Sequence, residues 1–113
     1  MSDCLFCKII AGEIPSAKVF ENDQVYAFRD IAPMAPTHVL VVPKKHIESL
    51  AALQAADEKF VSACLYAVQK VAAQEGLKGG FRVVSNCGDD AGQTVKHLHF
   101  HILGGERLGD RMA

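Results

Sequence analysis

His97-Leu98-His99-Phe100-His101, running on through Ile102-Leu103-Gly104-Gly105, is the stretch on which the reading of this chain turns. Successive side chains of a β-strand point to opposite faces. The alternation therefore predicts a strand over 97–103, with three imidazoles on one face and Leu98, Phe100 and Ile102 on the other, buried, face. Imidazole changes charge near neutral pH, and its two nitrogens can attack, donate, accept or ligate metal. The three rings cannot share one task. Same-face neighbours advance by ~6.7 Å, which separates His97 from His101 by roughly 13 Å of backbone. A zinc–nitrogen bond spans only about 2.0–2.1 Å. Two adjacent rings can converge on one ion; three in a straight row cannot.

The segment before the strand, Asn86-Cys87-Gly88-Asp89-Asp90-Ala91-Gly92-Gln93-Thr94, is a loop with two glycines, small residues and a hydroxyl. Glycine lets a backbone adopt positive φ and approach a ligand closely. Consecutive amides in such a turn form an anion-binding concavity. Gln93 and Thr94 add donors beside it. Phosphate donors next to a nucleophile are what in-line attack on phosphorus requires.

The rest of the chain supplies a scaffold. Cys4 to Ala11 predicts a short helix stopping at Gly12, and Val19–Glu21 and Val25–Phe28 predict strands around the turn Asn22-Asp23. Val39–Val42 predicts a buried strand between Pro36 and Pro43, and Phe81–Ser85 another. Asp57–Glu75 is the best helix: Phe60, Val61, Cys64, Leu65, Val68, Val71 and Ala72 form one apolar stripe, and Gly76 stands where a helix ends. The expected fold is α+β, with a mostly antiparallel sheet of about five strands, one main helix and a short N-terminal helix. The chain has 113 residues, half of them hydrophobic, which predicts a single domain over 1–113.

The formal net charge of −1, with charges interspersed, excludes the basic footprint of a nucleic-acid binder. No apolar run is long enough for a transmembrane helix. The opening Met1-Ser2-Asp3-Cys4 lacks the basic and apolar regions of a signal peptide, which points to the cytosol. In that compartment the four cysteines are not read as disulfides.

These residues resemble the histidine triad (HIT) superfamily of nucleotide hydrolases and transferases, whose signature is His-x-His-x-His flanked by apolar residues. The resemblance covers nearly the whole chain. It includes Cys7-Lys8-Ile9-Ile10-Ala11-Gly12-Glu13-Ile14-Pro15, Phe28-Arg29-Asp30-Ile31, Ala35-Pro36-Thr37-His38 through Val42-Pro43-Lys44-Lys45-His46, and Ala91-Gly92-Gln93-Thr94-Val95-Lys96. Leu103-Gly104-Gly105 resembles the Hint, nucleotide phosphoramidase, branch, while Gly92-Gln93-Thr94-Val95-Lys96 also occurs in dinucleoside polyphosphate hydrolases.

The resemblance implies a HIT-like fold and a hydrolase acting on an AMP-like purine nucleotide. His99 would attack the α-phosphorus, with its other nitrogen held by a backbone carbonyl, and water would release the nucleotidyl group. His101 and the backbone amides near Gly92, Gln93 and Thr94 would hold the phosphate, and Thr94 would help protonate the leaving group. Asp30 would accept the ribose hydroxyls, and Asn86 would hold sugar or phosphate. Phe6, Ile9, Phe28, Ile31 and Leu40 would sandwich the base. Read alone, each of those five is simply a core residue.

Cys4-Leu5-Phe6-Cys7 is a C-x-x-C motif open to three readings: zinc-binding, redox-active or incidental. The thioredoxin-like βαβ context of a redox pair is missing. A tetrahedral zinc needs two more ligands; His97 needs a task separate from its neighbours, and His46, just past the strand ending at Pro43, is a plausible fourth ligand. The set Cys4, Cys7, His46, His97 resembles the zinc site of some bacterial HIT proteins. Closed Cys₂His₂ coordination makes that zinc structural. His38 is either an outer partner of the triad or a strand-start residue. Cys64 reads as core, and Cys87 as a loop thiol without an evident ligand partner. The resemblance also implies a homodimer joined through sheet and main helix. Two other functions stay open: a dinucleoside polyphosphate hydrolase, and a nucleotide-binding regulatory module with incidental hydrolysis.

Overall fold

The computed structural model describes residues 3–111; Met1 and Ser2 of the opening segment lie outside the described residues. The chain runs α1 (Leu5–Ile10), β1 (Lys18–Glu21), β2 (Val25–Arg29), β3 (Thr37–Pro43), α2 (Glu58–Gln74), β4 (Arg82–Val84) and β5 (Phe100–Gly104). Short 3-10 turns fall at Leu50–Ala52, Ala55–Asp57 and Asp89–Ala91. The five strands form one sheet in the order β1-β2-β3-β5-β4. Every neighbouring pair is antiparallel, as the α+β expectation required.

Period-2 alternation divides the sheet's side chains between two apolar clusters. Val25, Ala27, Val39, Val41, Leu98, Phe100 and Ile102 face α2, which contributes Cys64, Ala67, Val68 and Val71. Tyr26, Phe28, Leu40 and Val42 face the opposite way and meet Phe6 and Ile9 of α1. β3 is central, so all seven of its residues are buried. The α2 stripe differs from expectation at one point: Leu65 points outward, and Ala67, three residues after Cys64, is buried instead, as the i, i+3, i+4 spacing requires.

Both helix ends are fixed locally. Gly76, at φ +71°, reverses the chain after α2, and the Leu77 amide returns to the Ala72 carbonyl at 3.0 Å. Arg29 forks onto Glu75 with two 2.9 Å bonds, tying the end of β2 to the end of α2. Cys4 caps α1, its sulfur accepting from the Cys7 amide at 3.3 Å.

The histidine strand is shorter than predicted. Its ladder begins at Phe100, not His97. Extending the β3–β5 register past Val41↔Phe100 brings Pro43 opposite Leu98. Proline has no N–H to give a ladder. The Pro43 carbonyl is taken instead by the His97 ring at 2.8 Å, and the Leu98 amide goes to Ile47 O at 2.6 Å. Alternation nevertheless persists through residues 97–99, so the three imidazoles share a face. That face is not open: Phe6 packs edge-on against His97 and His99, at ring separations of 5.9 and 5.1 Å.

Candidate functional site: a divided row of histidines

His97 is fully buried (0 % exposed). A carbonyl only accepts, so the 2.8 Å contact to Pro43 O puts the His97 proton on Nε2 and leaves the Nδ1 lone pair bare. That lone pair faces Cys4 Sγ at 3.3 Å and Cys7 Sγ at 3.6 Å, while His46 Nδ1 lies 3.4 Å from Cys7 Sγ. All four ligand atoms lie within 4.8 Å of one another. Tetrahedral zinc with ordinary bond lengths sets sulfur–nitrogen edges of about 3.5–3.6 Å. The cluster therefore fits a zinc ion in donor chemistry, in spacing and in the carbonyl that orients its buried imidazole. Burial, followed by the hydrogen bond and charge of Cys4, pushes the Cys7 thiol up to about 11.

Two residues on, the His99 ring turns back onto its own backbone: Nδ1 bonds the His97 carbonyl at 2.7 Å. The early end of the β5 ladder leaves that carbonyl available. Nδ1 is the donor, so in the neutral ring the unshared pair is on Nε2. The Ser85 hydroxyl donates to the His99 carbonyl at 2.9 Å, holding the same segment from the β4 side. Sequence reasoning missed both Ser85 and the role of Pro43, since neither residue type signals its partner.

His101 belongs to another group. Its Nδ1 lies 2.9 Å from His38 Nε2, which also lies 3.4 Å from Asp30 Oδ2, and the Met34 amide donates to His38 Nδ1 at 3.0 Å. Burial drives His101 down to about 4, with the neighbouring His99 and His38 adding to the effect. Burial likewise lowers His38, against the opposing pull of Asp30. Both rings are neutral near pH 7. The structure thus places His38 beside the triad, resolving the two alternatives the sequence left. Asp30 also turns its Oδ1 onto the Ala32 amide at 2.8 Å, so one oxygen shapes the turn and the other faces the rings.

The 86–94 loop is built differently from expectation. Gln93 is buried (4 % exposed) and its side chain is fully used: Oε1 accepts from the Gly88 amide at 2.8 Å, and Nε2 donates to Glu48 O at 2.8 Å and Val95 O at 3.1 Å. Its backbone amide goes to Gly88 O at 3.1 Å, and that of Gly92 to Asp89 O at 3.0 Å. Gln93 and Gly92 therefore do not offer free donors to a phosphate; they close the loop on itself, Gly92 doing so at φ +79°. Thr94 is exposed and Asn86 half-buried. Thr94 also lines a groove of about 540 Å³ with Asp3, Cys4, Leu5, His46, Val95 and Lys96.

Phe6, Ile9, Phe28 and Leu40 come together as expected, but as a packed wall behind the imidazoles, with Phe6 edge-on to Phe28 at 5.5 Å. Ile31 does not join them; it stands fully exposed (100 %) on the loop after Asp30. Cys64 is buried core, as read. Hydrogen bonds from Ser49, then from the Ala51 backbone, lower the Cys87 thiol.

Alternating imidazoles with separate partners on one antiparallel sheet mark the histidine-triad class of α+β proteins. The model of the HIT domain family matches residues 11–108, and the chain belongs to that family. A histidine triad protein from Clostridium difficile superposes with a TM-score of 0.94 at 51 % identity, covering 98 % of this chain and 97 % of that one. The chain is 46 % identical to Adenylylsulfatase HINT1 of Arabidopsis thaliana, over 95 % of its own length and 74 % of the relative's. It is also 46 % identical to a 14 kDa zinc-binding protein of Zea mays, over 95 % of its length and 85 % of the relative's.

Proposed function

We propose that this protein is a purine nucleotide hydrolase that cleaves nucleoside 5′-phosphoramidates through a nucleotidyl-histidine. The observation that carries this is the 2.7 Å bond from His99 Nδ1 to the His97 carbonyl, which commits a proton to Nδ1 and so supports Nε2 of the neutral ring as the nucleophile. The name of the Arabidopsis relative, an adenylylsulfatase, supports hydrolysis at an adenylyl phosphorus.

His99 Nε2 forms a bond to the α-phosphorus as the P–N bond to the leaving amine breaks. The electron pair leaves on that nitrogen, which takes the Thr94 hydroxyl proton. Water then attacks the same phosphorus, the bond to His99 breaks, and the proton lost by water restores Thr94. His101 and the Thr94 amide stabilise the phosphate oxygens. Asp30 receives the ribose, with Asn86 beside sugar or phosphate. Exposed Ile31 covers the base against the edges of Phe6, Ile9, Phe28 and Leu40. Gly92 and Gln93 act by holding the loop in shape.

Cys4, Cys7, His46 and His97 hold a structural zinc in this proposal, and the zinc-binding name of the maize relative supports it. Bound there, zinc clamps α1 and His97 to one point. A homodimer is part of the same proposal: β4 is an outer strand carrying exposed Val83, and α2 exposes Leu65 and Tyr66. The four free cysteines suit a cytosolic location, and no helix among the described residues is long and apolar enough to cross a membrane.

The test is turnover of adenosine 5′-phosphoramidate beside a diadenosine polyphosphate, with His99→Ala and mass-spectrometric trapping of a nucleotidyl adduct. Faster cleavage of the phosphoramidate and an adduct on His99 are expected. Full activity in His99→Ala rejects the mechanism, and preference for the polyphosphate rejects the substrate class.

A further inference from the structure

A backbone N–H can only donate, so the Met34 amide, 3.0 Å from His38 Nδ1, requires a lone pair there. The proton of neutral His38 then sits on Nε2. Two acceptors face that single N–H: His101 Nδ1 at 2.9 Å and Asp30 Oδ2 at 3.4 Å. The shorter contact takes it. His101 Nδ1 is consequently an acceptor, and the His101 proton lies on Nε2. In the opposite state, His38 Nδ1–H would confront the Met34 N–H, and His101 would donate through Nδ1 and present a bare lone pair at Nε2. Reversing one contact reverses both rings.

We propose that the Met34 backbone amide is a positioning group, which sets the tautomer of His38 and through it holds His101 in the Nε2–H form, the one able to donate to a phosphate oxygen. The inference rests on the hydrolase proposal for its consequence and on geometry alone for the tautomers. Burial keeps both rings neutral, so the polarity of the pair depends on which nitrogen holds each proton. The segment that sets this polarity also carries the most exposed large apolar side chains among the described residues, Ile31 and Met34 (79 %). A loop that covers a ligand with its side chains therefore also sets, through its backbone, how the site's second imidazole meets the phosphate.

Met34→Pro deletes the N–H, and Met34→Ala retains it. Imidazole nitrogen-15 shifts read the tautomers, and turnover of adenosine 5′-phosphoramidate reads the consequence. Wild type and Met34→Ala should show Nε2–H at His38 and His101. Met34→Pro should show mixed tautomers at both rings and a fall in kcat of about fivefold, the kinetic equivalent of one neutral hydrogen bond, with KM little changed.

His38→Gln, which keeps a donor toward His101, and His38→Leu, which removes it, decide the matter if Met34→Pro does not fold. The glutamine variant should keep His101 as Nε2–H and exceed the leucine variant in kcat. Wild-type His101 found as Nδ1–H, unchanged tautomers in a folded Met34→Pro, or identical His38→Gln and His38→Leu proteins overturn the proposal. Full turnover by His99→Ala would defeat the hydrolase proposal while leaving the tautomer result standing, so the two failures are distinguishable.

Discussion

Replacing Gln93 by alanine tests whether this side chain builds the loop or touches the phosphate. The wild-type amide satisfies three backbone groups: Gly88 N–H, Glu48 C=O and Val95 C=O. None is an ion, so each bond is worth about 1 kcal/mol net, and losing all three costs about 3 kcal/mol. For a domain of this size, 1 kcal/mol moves Tm by about 4 °C, which predicts a drop of about 12 °C by calorimetry. Gln93→Glu should fall by a comparable amount. It keeps the acceptor for Gly88 but turns a carboxylate onto two carbonyls. Both variants should lose kcat as well, because Thr94 sits at the end of the loop that Gln93 fastens. A melting temperature within about 2 °C of wild type, together with a raised KM, would show that the amide serves the ligand, and would refute the structural account.

Protein purified without added zinc should carry one equivalent, and Cys4→Ser or a strong chelator should remove it and lower Tm; a metal-free protein of equal stability and activity would exclude the structural ion. His101 predicts a pH dependence. Its folded value of about 4 lies below its ordinary 6.5, so the unfolded chain binds more protons between those values. Stability from this ring is present above pH 6.5, falls as pH drops from there and is lost by about pH 4, with no such slope above neutrality; denaturant titrations across that window check it, and His101→Asn should reduce the slope, leaving the share contributed by buried His97 and His38. Leu98→Ala empties a fully buried position between sheet and α2 and should cost about 2–5 kcal/mol, measured by urea unfolding. A loss below about 1 kcal/mol would mean that the site collapses around the gap.

Local pattern made much of this legible. The alternation of residues 97–103, the α2 stripe and the Gly12 and Gly76 stops are all written in neighbours; the structure keeps the alternation and ends both helices within a residue or two of the expected positions. Elsewhere the deciding partner is remote. The strand starts at Phe100 because Pro43, far away in sequence, stands opposite Leu98, and only the register brings them together. His38 alone is ambiguous until β3 and β5 pair and set it against His101. Gln93 misleads for a chemical reason: an amide donates equally well to a phosphate or a carbonyl, and composition cannot say which is nearer. Ile31 lies inside the turn that Asp30 closes onto the Ala32 amide, and there its side chain is fully exposed. Spacing did decide one matter: rings too far apart to converge were expected to divide their work, and His97, His99 and His101 each have different partners.

The missing rung at Pro43 has a consequence for anyone redesigning this scaffold. Regularising the sheet, with an ordinary residue at 43 and pairing continued toward 97, would suit every rule of backbone idealisation. It would also draw the carbonyls of this segment into the ladder and disturb the two oxygens that grip His97 and His99. Here the flaw in the weave is the fixture that aims the rings, and a tidier fold would leave them loose.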